Sequence, residues 1–550
     1  MNLFSIPKEL DRLMGMENLF LFISYLLILT SHQQLHCSAA TRNLEYPFPF
    51  MTFDAEKAAA RTYDYIVVGG GTAGCPLAAT LSQNYSVLLL ERGDSPYGNP
   101  DVEDNKGFFK LFGNASEFPY VAQGFVSEDG VQLVRGRVLG GGSAINAGFY
   151  SRASLDYIKK MEWDGKLVNE SYEWVEKMNA FKPNKLFRWS SAVKDAQLEA
   201  GLLPYNGYTL EHLEGTKIGA SSFDNNGRRH TAADLLKYAN PDNIVVLLNA
   251  TASRLLSNSS SGKVKVIGVE FINSVDGLSH QVLLNELSYW SEVILSAGSI
   301  GSPQLLLLSG IGPSQQLREL NVTVLLDLNS VGKGIQDPPR TTITIESPKP
   351  LEFAQLQVAG IIDNSQAYIE SASYFLQENV TTYKYLGIIA AKVAFPLSRG
   401  ELQLRTKNPQ DSPFVRYNYY SHPHDLQECI FGVKVMLNLS KTTSIQNFAL
   451  KGSGNSSILQ FIGSALPQNQ SNNKAFANFC RDTLATFWHY HGGCQIDIVI
   501  DKRHRVKGVD NLRVVDSSIF KDSPGTNPQA TTMMLGRYIG VHILQERLNH

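Results

Sequence analysis

Tyr63-Asp64-Tyr65-Ile66-Val67-Val68 runs straight into Gly69-Gly70-Gly71-Thr72-Ala73-Gly74, and the junction of those two pieces decides the fold. The first piece has the composition of a buried strand and the second is a glycine-rich turn. Cys75–Ser82 then carries a helical pattern with Ala78, Ala79 and Leu81. Ser86–Leu90 is a second apolar strand, closing on Glu91-Arg92-Gly93. Strand, glycine turn, helix, strand and acid is the order of a Rossmann-type dinucleotide unit. Gly69 permits the tight turn, Gly71 lets backbone N–H groups approach a pyrophosphate, and Gly74 allows helix and strand to pack closely. The helix N-terminus places partial positive charge on the phosphates. Glu91 can accept hydrogen bonds from ribose hydroxyls, which disfavours a 2′-phosphate. The motif alone does not separate NAD from FAD; its place near the start of the mature chain favours FAD.

Outward from this unit, Arg135-Gly136-Arg137-Val138-Leu139-Gly140-Gly141-Gly142-Ser143 is a second glycine-rich stretch. Ile244–Leu248 and Val264–Phe271 read as strands, with a turn at Ser257–Gly262. Val293–Ala297 reads as another buried strand, and Gly298–Gly312 as a small-residue and leucine helix. The 345–480 region has less glycine and mixed signals, and reads as a second, substrate-facing domain. With 550 residues the chain exceeds a single core. The predicted organisation is a signal segment over 1–40, a dinucleotide domain over 60–345, a substrate domain over 346–485, and a return to the first domain over 486–550. The fold class is α/β: a discontinuous Rossmann-like domain plus a domain built on a mixed or antiparallel sheet.

Composition is ordinary, 43% hydrophobic and 18% charged, with a formal net charge of −2. No basic run points to nucleic acid. Lys8 and Arg12 precede an apolar run, Leu19–Thr30, followed by Ser38, Ala39 and Ala40, the plan of a cleavable signal peptide. The run is shorter than the roughly 20 residues needed to span a bilayer; the alternative is an uncleaved anchor. Ten N-x-S/T triplets follow, among them Asn114, Asn249, Asn321, Asn379 and Asn438. The expectation is a secreted glycoprotein, extracellular, in the cell wall or vacuolar, monomeric and without a membrane span once processed. Four cysteines remain after the signal: Cys75, Cys429, Cys480 and Cys494. Three pairings are open. Cys75 and Cys494 sit in packing contexts, which favours Cys429–Cys480. No His/Cys cluster supports a metal site.

Phe487-Trp488-His489-Tyr490-His491-Gly492-Gly493-Cys494 puts two histidines beside a flexible turn. Val514-Val515-Asp516 follows, then Ser523 to Gln529, then a helix from Ala530. A histidine can take a hydroxyl proton near neutral pH. A helix start at Pro528-Gln529 offers free N–H groups suited to a flavin carbonyl.

At this point the chain resembles the glucose–methanol–choline (GMC) oxidoreductase family. Gly136 to Asn146 is similar to its first signature. Gly298-Ser299-Ile300-Gly301-Ser302-Pro303 through Ser309-Gly310-Ile311-Gly312 is similar to its second. The resemblance runs from Tyr63 to the C-terminus and is strongest to the plant hydroxynitrile-lyase and HOTHEAD-like branches. It implies FAD as cofactor and His489 as the catalytic histidine, with His491 ranked second. It implies that Gly69, Gly71, Thr72, Ala73, Gly74, Glu91 and Arg92 hold the ADP half, with Ala252 against adenine. Val138, Ser143, Asn146, Ala147, Gly148 and Phe149 would line the isoalloxazine side, and Trp488, His489, Asp516, Pro528 and Gln529 would surround the ring and ribityl chain. A Cys429–Cys480 bridge also matches one in the lyases.

Three departures matter. The lyases carry a second histidine where this chain has Asn527, a residue found there in the HOTHEAD-like branch and many alcohol-oxidising members. They present a substrate-facing cysteine, and none lies between Gly332 and Glu428. They have tyrosine where this chain has Phe487. The segment from Pro350 to Leu386 is also shorter than usual. The resemblance therefore implies FAD-dependent oxidation of a small-molecule alcohol, with His489 as base and Asn527 holding the hydroxyl oxygen. The alternatives are cleavage of a cyanohydrin with a non-redox FAD, and a flavin-binding protein without turnover.

Overall fold

The computed structural model describes residues 47–105, 107–108, 120–260, 263–288, 290–362, 367–377, 382–451 and 457–548. The expected signal segment and the triplets at Asn114 and Asn379 lie outside the described residues.

Tyr65–Val68 is the fourth strand of a six-stranded parallel sheet, ordered Met51–Thr52, Ile244–Leu247, Val87–Leu90, Tyr65–Val68, Glu292–Leu295, Leu512–Val514. Tyr65 faces Val87 and Val68 faces Leu90 in register. Every residue of Tyr65–Val68, Val87–Leu90 and Glu292–Leu295 is buried. That is why these strands read as continuous apolar runs and not as alternating ones: both sheet faces are covered. Gly74–Leu81 is the covering helix after the glycine turn, wholly buried, and the C-terminal helix Gln529–Leu548 packs across it. Their approach is close enough that a Cβ on Gly536 would stand 2.2 Å from the Ala73 carbonyl oxygen. Ala250–Ser260, Lys263–Asn273 and Ser279–Leu284 form an antiparallel meander beside this sheet.

The second sheet is ordered Gln460–Ile462, Pro339–Ser347, Tyr383–Lys392, Ala367–Gln377, Val358–Ile362, Gly215–Ile218, Tyr205–Tyr208. All pairs along it are antiparallel except the last, which is parallel. One face packs Ile343, Ile345, Ile369, Ile389 and Ala391 against helices Arg188–Glu199, Pro423–Ser440 and Asn473–Asp482. The Cys429–Cys480 disulfide joins the last two helices, with Cα atoms 6.2 Å apart, while Cys75 and Cys494 are free and buried. The other face turns Tyr368, Glu370, Ile388, Ala390 and Lys392 towards the first sheet's C-terminal edge.

Four expectations need correction. Where a turn is expected from Ser257, the first strand keeps pairing to Ser260, opposite Lys263. The helix from Gly298 stops at Leu308, since Gly310 takes φ +79° and Ile311–Gly312 joins a short strand. The second sheet draws on residues well before 346: the strands at 205–218 extend its edge, and Trp189 from the Arg188–Glu199 helix fills its core. Conversely, Gly400–Gln403 pairs with Lys333–Ile335 on one side and Phe414–Arg416 on the other, and Leu402, Leu404, Val415 and Tyr417 pack in the first core. Among the described residues no helix is long and apolar enough to cross a membrane, and no acidic, histidine and cysteine cluster could hold a metal ion.

Candidate active site

Both sheets and both glycine-rich stretches border one cavity of about 970 Å³. At its nucleotide end the Gly69–Gly74 turn is fixed by the protein's own packing at Gly69 and Gly74. A Cβ on Gly69, at φ +105°, would sit 2.5 Å from the Ser296 carbonyl oxygen, and one on Gly74 would sit 1.9 Å from that of Gly69. Gly71 is different: a Cβ there would meet nothing nearer than 3.7 Å. The fold does not require glycine at 71, whereas a ligand lying against the backbone does. The two glycine stretches are tied together, Gly140 N–H donating to the Gly70 carbonyl at 2.7 Å. Glu91 accepts from Gly70 N at 2.9 Å and Gly93 N at 2.8 Å, one bond per carboxylate oxygen, which leaves each a lone pair for a ribose. Arg92 reaches Gln123 and the Gly136 carbonyl, and Thr251 and Ala252 complete this wall.

The far end is built from the 146–149 loop, the 487–490 segment and the start of the last helix. Gln529 clamps the loop: its Oε1 accepts from Asn146 Nδ2 at 2.8 Å, and its Nε2 donates to the Phe149 carbonyl at 2.8 Å. Asp516 lines the cavity, but its carboxylate serves the fold. It accepts from Gly298 N and Ser302 Oγ with one oxygen and from Ser518 N with the other. It therefore pins the start of the Gly298–Leu308 helix against the cavity.

His489 is positioned by Asp337, which accepts from the His489 backbone N–H at 3.1 Å and from the Tyr419 hydroxyl at 2.6 Å. The strand pair Ala485–Thr486 with Pro339–Arg340 delivers the segment to that point. His489 is half-buried in the wall, and its ring Nδ1 is buried with no hydrogen-bond partner among the described residues. Burial, and then the positive charges of Lys392 and Arg340 with His491 between them in weight, hold its pKa well below the ordinary histidine value of 6.5. The ring is a neutral imidazole with an acceptor to offer. Asn527 is the companion group: the Tyr368 hydroxyl donates to its Oδ1 at 3.3 Å, which leaves its NH2 end to donate towards the cavity and Glu370.

The structure brings nearly all the expected residues to this cavity: Gly69, Gly71, Thr72, Ala73, Glu91, Arg92, Ser143, Asn146 to Phe149, Ala252, Trp488, His489, Asp516 and Asn527 to Gln529. Gly74 lies just beneath the turn, in the packing role expected of it. Val138 and His491 are the exceptions. Val138 is buried in a small apolar cluster with Val102, Val121 and Ala144, behind the second glycine stretch. The His491 backbone pairs with Gln336 in both directions, which turns the ring away from the cavity, its Nδ1 3.0 Å from the His489 carbonyl oxygen.

Sequence reading missed the charged floor. Arg340 and Glu370 line the cavity, with Lys392 beside them. Arg340, Lys392 and Tyr368 are in register across three strands, and Lys392 Nζ lies 4.0 Å from the centre of the Tyr368 ring. Burial pushes the Glu370 carboxyl up and the Lys392 ammonium down, each opposed by the other's charge. Charged residues inside otherwise apolar strands, Glu370 after Ile369 and Lys392 after Ala391, were the available signal. Also missed were the apolar walls Phe353, Leu356, Tyr374, Phe375 and Leu376.

The elongated cavity, open at Gly71 and walled by backbone N–H groups at one end and a base and amide at the other, fits FAD. Comparison with known proteins agrees. Two GMC oxidoreductase family models match residues 63–340 and 396–536. A protein of Arabidopsis thaliana called (R)-mandelonitrile lyase-like is 45% identical over 535 residues, covering 94% of this chain and 96% of that protein. The Sinalpyl alcohol oxidase Nec3 of Nesocodon mauritianus is 45% identical, covering 88% and 89%. Among solved structures, a formate oxidase of Aspergillus oryzae superposes with a TM-score of 0.73 over 89% of this chain and 99% of its own, at 18% identity, a likeness of fold. With matching models over most of its length, full-length relatives at this identity and a cavity shaped for FAD, the chain belongs to the GMC oxidoreductase family of FAD enzymes.

Proposed function

We propose that this enzyme oxidises the hydroxyl carbon of an aromatic alcohol. The observation that carries the reading is the pairing at the reacting end of the cavity: one neutral imidazole, His489, beside one amide, Asn527. His491 is turned away. Bound FAD supplies the hydride acceptor. His489 takes the hydroxyl proton, for which its depressed pKa leaves it unprotonated at neutral pH. The Asn527 NH2 donates to the same oxygen and holds it in line, its own carbonyl being engaged by Tyr368. Phe353, Tyr374, Phe375 and Phe487 supply an aromatic wall that favours a planar apolar substrate and excludes water.

Cyanohydrin cleavage is the second reading, supported by the lyase-named relative. It needs a group that protonates departing cyanide, and an amide at 527 cannot do so. Anaerobic mixing separates the two. Bleaching of the flavin's visible absorbance by benzylic or cinnamyl alcohols supports oxidation. Release of aldehyde and cyanide from mandelonitrile with the flavin unbleached would overturn it. We also infer secretion: the N-terminal segment has the plan of a signal peptide, and the disulfide suits an oxidising compartment. N-terminal sequencing of protein recovered from culture medium tests it, and intracellular retention of the unprocessed chain would refute it.

A further inference from the structure

Arg229 is a buried cation with no counter-ion. It is 3% exposed, and no carboxylate makes an ion pair with it among the described residues. Its Nε donates to the Val102 carbonyl at 2.9 Å, and its Nη1 to Asn146 Oδ1 at 3.0 Å and the Ser143 carbonyl at 3.4 Å. Nη2 has no partner. The guanidinium lies 4.3 Å from the centre of the Phe223 ring, and that ring presses on Gly148, where a Cβ would stand 2.6 Å from it. Arg229 and Phe223 therefore grip the Asn146–Gly148 wall of the cavity from behind. Through Asn146 the grip continues to Gln529 and Phe149.

Taking a charge out of water is costly, and neutral carbonyls satisfy its N–H groups without cancelling the charge. Burial draws the Arg229 pKa down to about 9, which still leaves it protonated at neutral pH. Folding does not call for such a charge, because apolar replacement of buried ions is often neutral or stabilising. The charge faces the cavity through Nη1, which donates to two residues of its lining, Asn146 and Ser143.

We propose that Arg229 is a positioning residue for the flavin end of the cofactor, and that its uncompensated charge favours the reduced FAD over the oxidised one. The reduced form, having gained two electrons and fewer than two protons, carries more negative charge. A fixed positive charge in a poorly screening interior stabilises it selectively. The inference rests on the bound FAD and is independent of which substrate the enzyme takes.

The test is a spectroelectrochemical titration of FAD-loaded wild-type enzyme, Arg229→Met and Arg229→Gln. Both variants are expected to shift the equilibrium at least tenfold towards oxidised cofactor, about 30 mV for a two-electron couple. Arg229→Met is expected to melt at the wild-type temperature or above it. An unchanged potential in either loaded variant overturns the proposal and leaves Arg229 a structural residue. Should Arg229→Met yield no folded protein, the proposal fails in its claim that folding does not need the charge, and Arg229→Gln alone then decides the effect on potential.

Discussion

Two glycines three residues apart separate what the fold needs from what the cofactor needs. At Gly74 an added Cβ would stand 1.9 Å from the Gly69 carbonyl oxygen, where 3.0 Å is the practical limit, so backbone must move by about 1 Å. Backbone against backbone has no rotamer by which to escape. Gly74→Ala is therefore expected at the upper end of the roughly 1–3 kcal/mol range for over-packing. Because the backbone that must move also forms the phosphate cradle, FAD affinity is expected to fall as well, by up to about 100-fold. The substitution is also expected to lower the melting temperature of the apoprotein. At Gly71 the nearest atoms are 3.7 and 3.9 Å away, so Gly71→Ala leaves the apoprotein within about 0.5 kcal/mol of wild type. The same methyl projects where the pyrophosphate must approach, and FAD binding falls as far as in Gly74→Ala. The assay is the ratio of FAD to protein after dialysis against known free FAD, with melting of each apoprotein measured alongside. Wild-type FAD affinity in Gly71→Ala would refute the placement of the phosphates against this turn.

His489→Ala is expected to lower kcat/KM for the alcohol by about 100- to 10,000-fold while retaining FAD, because Asp337 holds residue 489 through its backbone; turnover within tenfold of wild type would remove His489 from the mechanism. The base works as neutral imidazole and its pKa is held down, so activity persists as pH falls through 6.5 and is lost only below it; Lys392→Met, which removes one of the charges responsible, moves that acidic limb of the kcat/KM profile upward, and an unmoved limb would contradict the assignment. Replacing Cys429 and Cys480 together by alanine opens a 51-residue loop and is expected to cost about 4 kcal/mol in urea unfolding of the non-reduced protein; an unchanged midpoint would show that the helices it joins are held by packing alone.

The parts of the molecule that could be read directly from the chain are those set by local pattern. The strand, glycine turn, helix and second strand at 65–90 follow from apolar runs and from glycines whose spacing matches one turn of packing. The histidine segment and the Pro528-Gln529 helix start likewise carry their chemistry within a few residues. Long-range pairing was not legible. Nothing local to Gly215–Ile218 announces that it will hydrogen-bond to Val358–Ile362, since any strand with a free edge can accept another. The ending of the helix at Leu308 turned on Gly310 adopting a left-handed conformation, which residue type permits but does not require. His491 shares its residue type with His489, and only the pairing of its backbone with Gln336 assigns it a different place.

Glu370 and Lys392 escaped notice for a related reason, and their position bears on the chemistry. In an antiparallel strand, alternating charge reads as a solvent face. Here the part of that face carrying Tyr368, Glu370, Ala390 and Lys392 is buried beside the cavity. Arg340, Lys392 and Tyr368 stand in register, and Glu370 lies two residues along the same face. Two buried cations and one carboxylate sit under the cavity, while Asp337, with its pKa raised to about 6 by burial, holds the histidine segment. A lone carboxylate or ammonium in such a place would shift towards its neutral form. The cluster keeps partial charge because its members oppose one another's shifts. Its net effect on His489 is positive, and that single sign has two consequences. It keeps the imidazole unprotonated at rest while weakening it as a base, and it offsets that weakening by favouring the alkoxide character that develops on the substrate oxygen as the proton leaves. A floor of this sign assists any reaction that begins by deprotonating a hydroxyl, whether hydride or cyanide then departs. The division between oxidation and cleavage therefore does not lie in the base or the floor. It lies in the residue opposite, where Asn527 can hold the oxygen but has no proton to give a leaving anion.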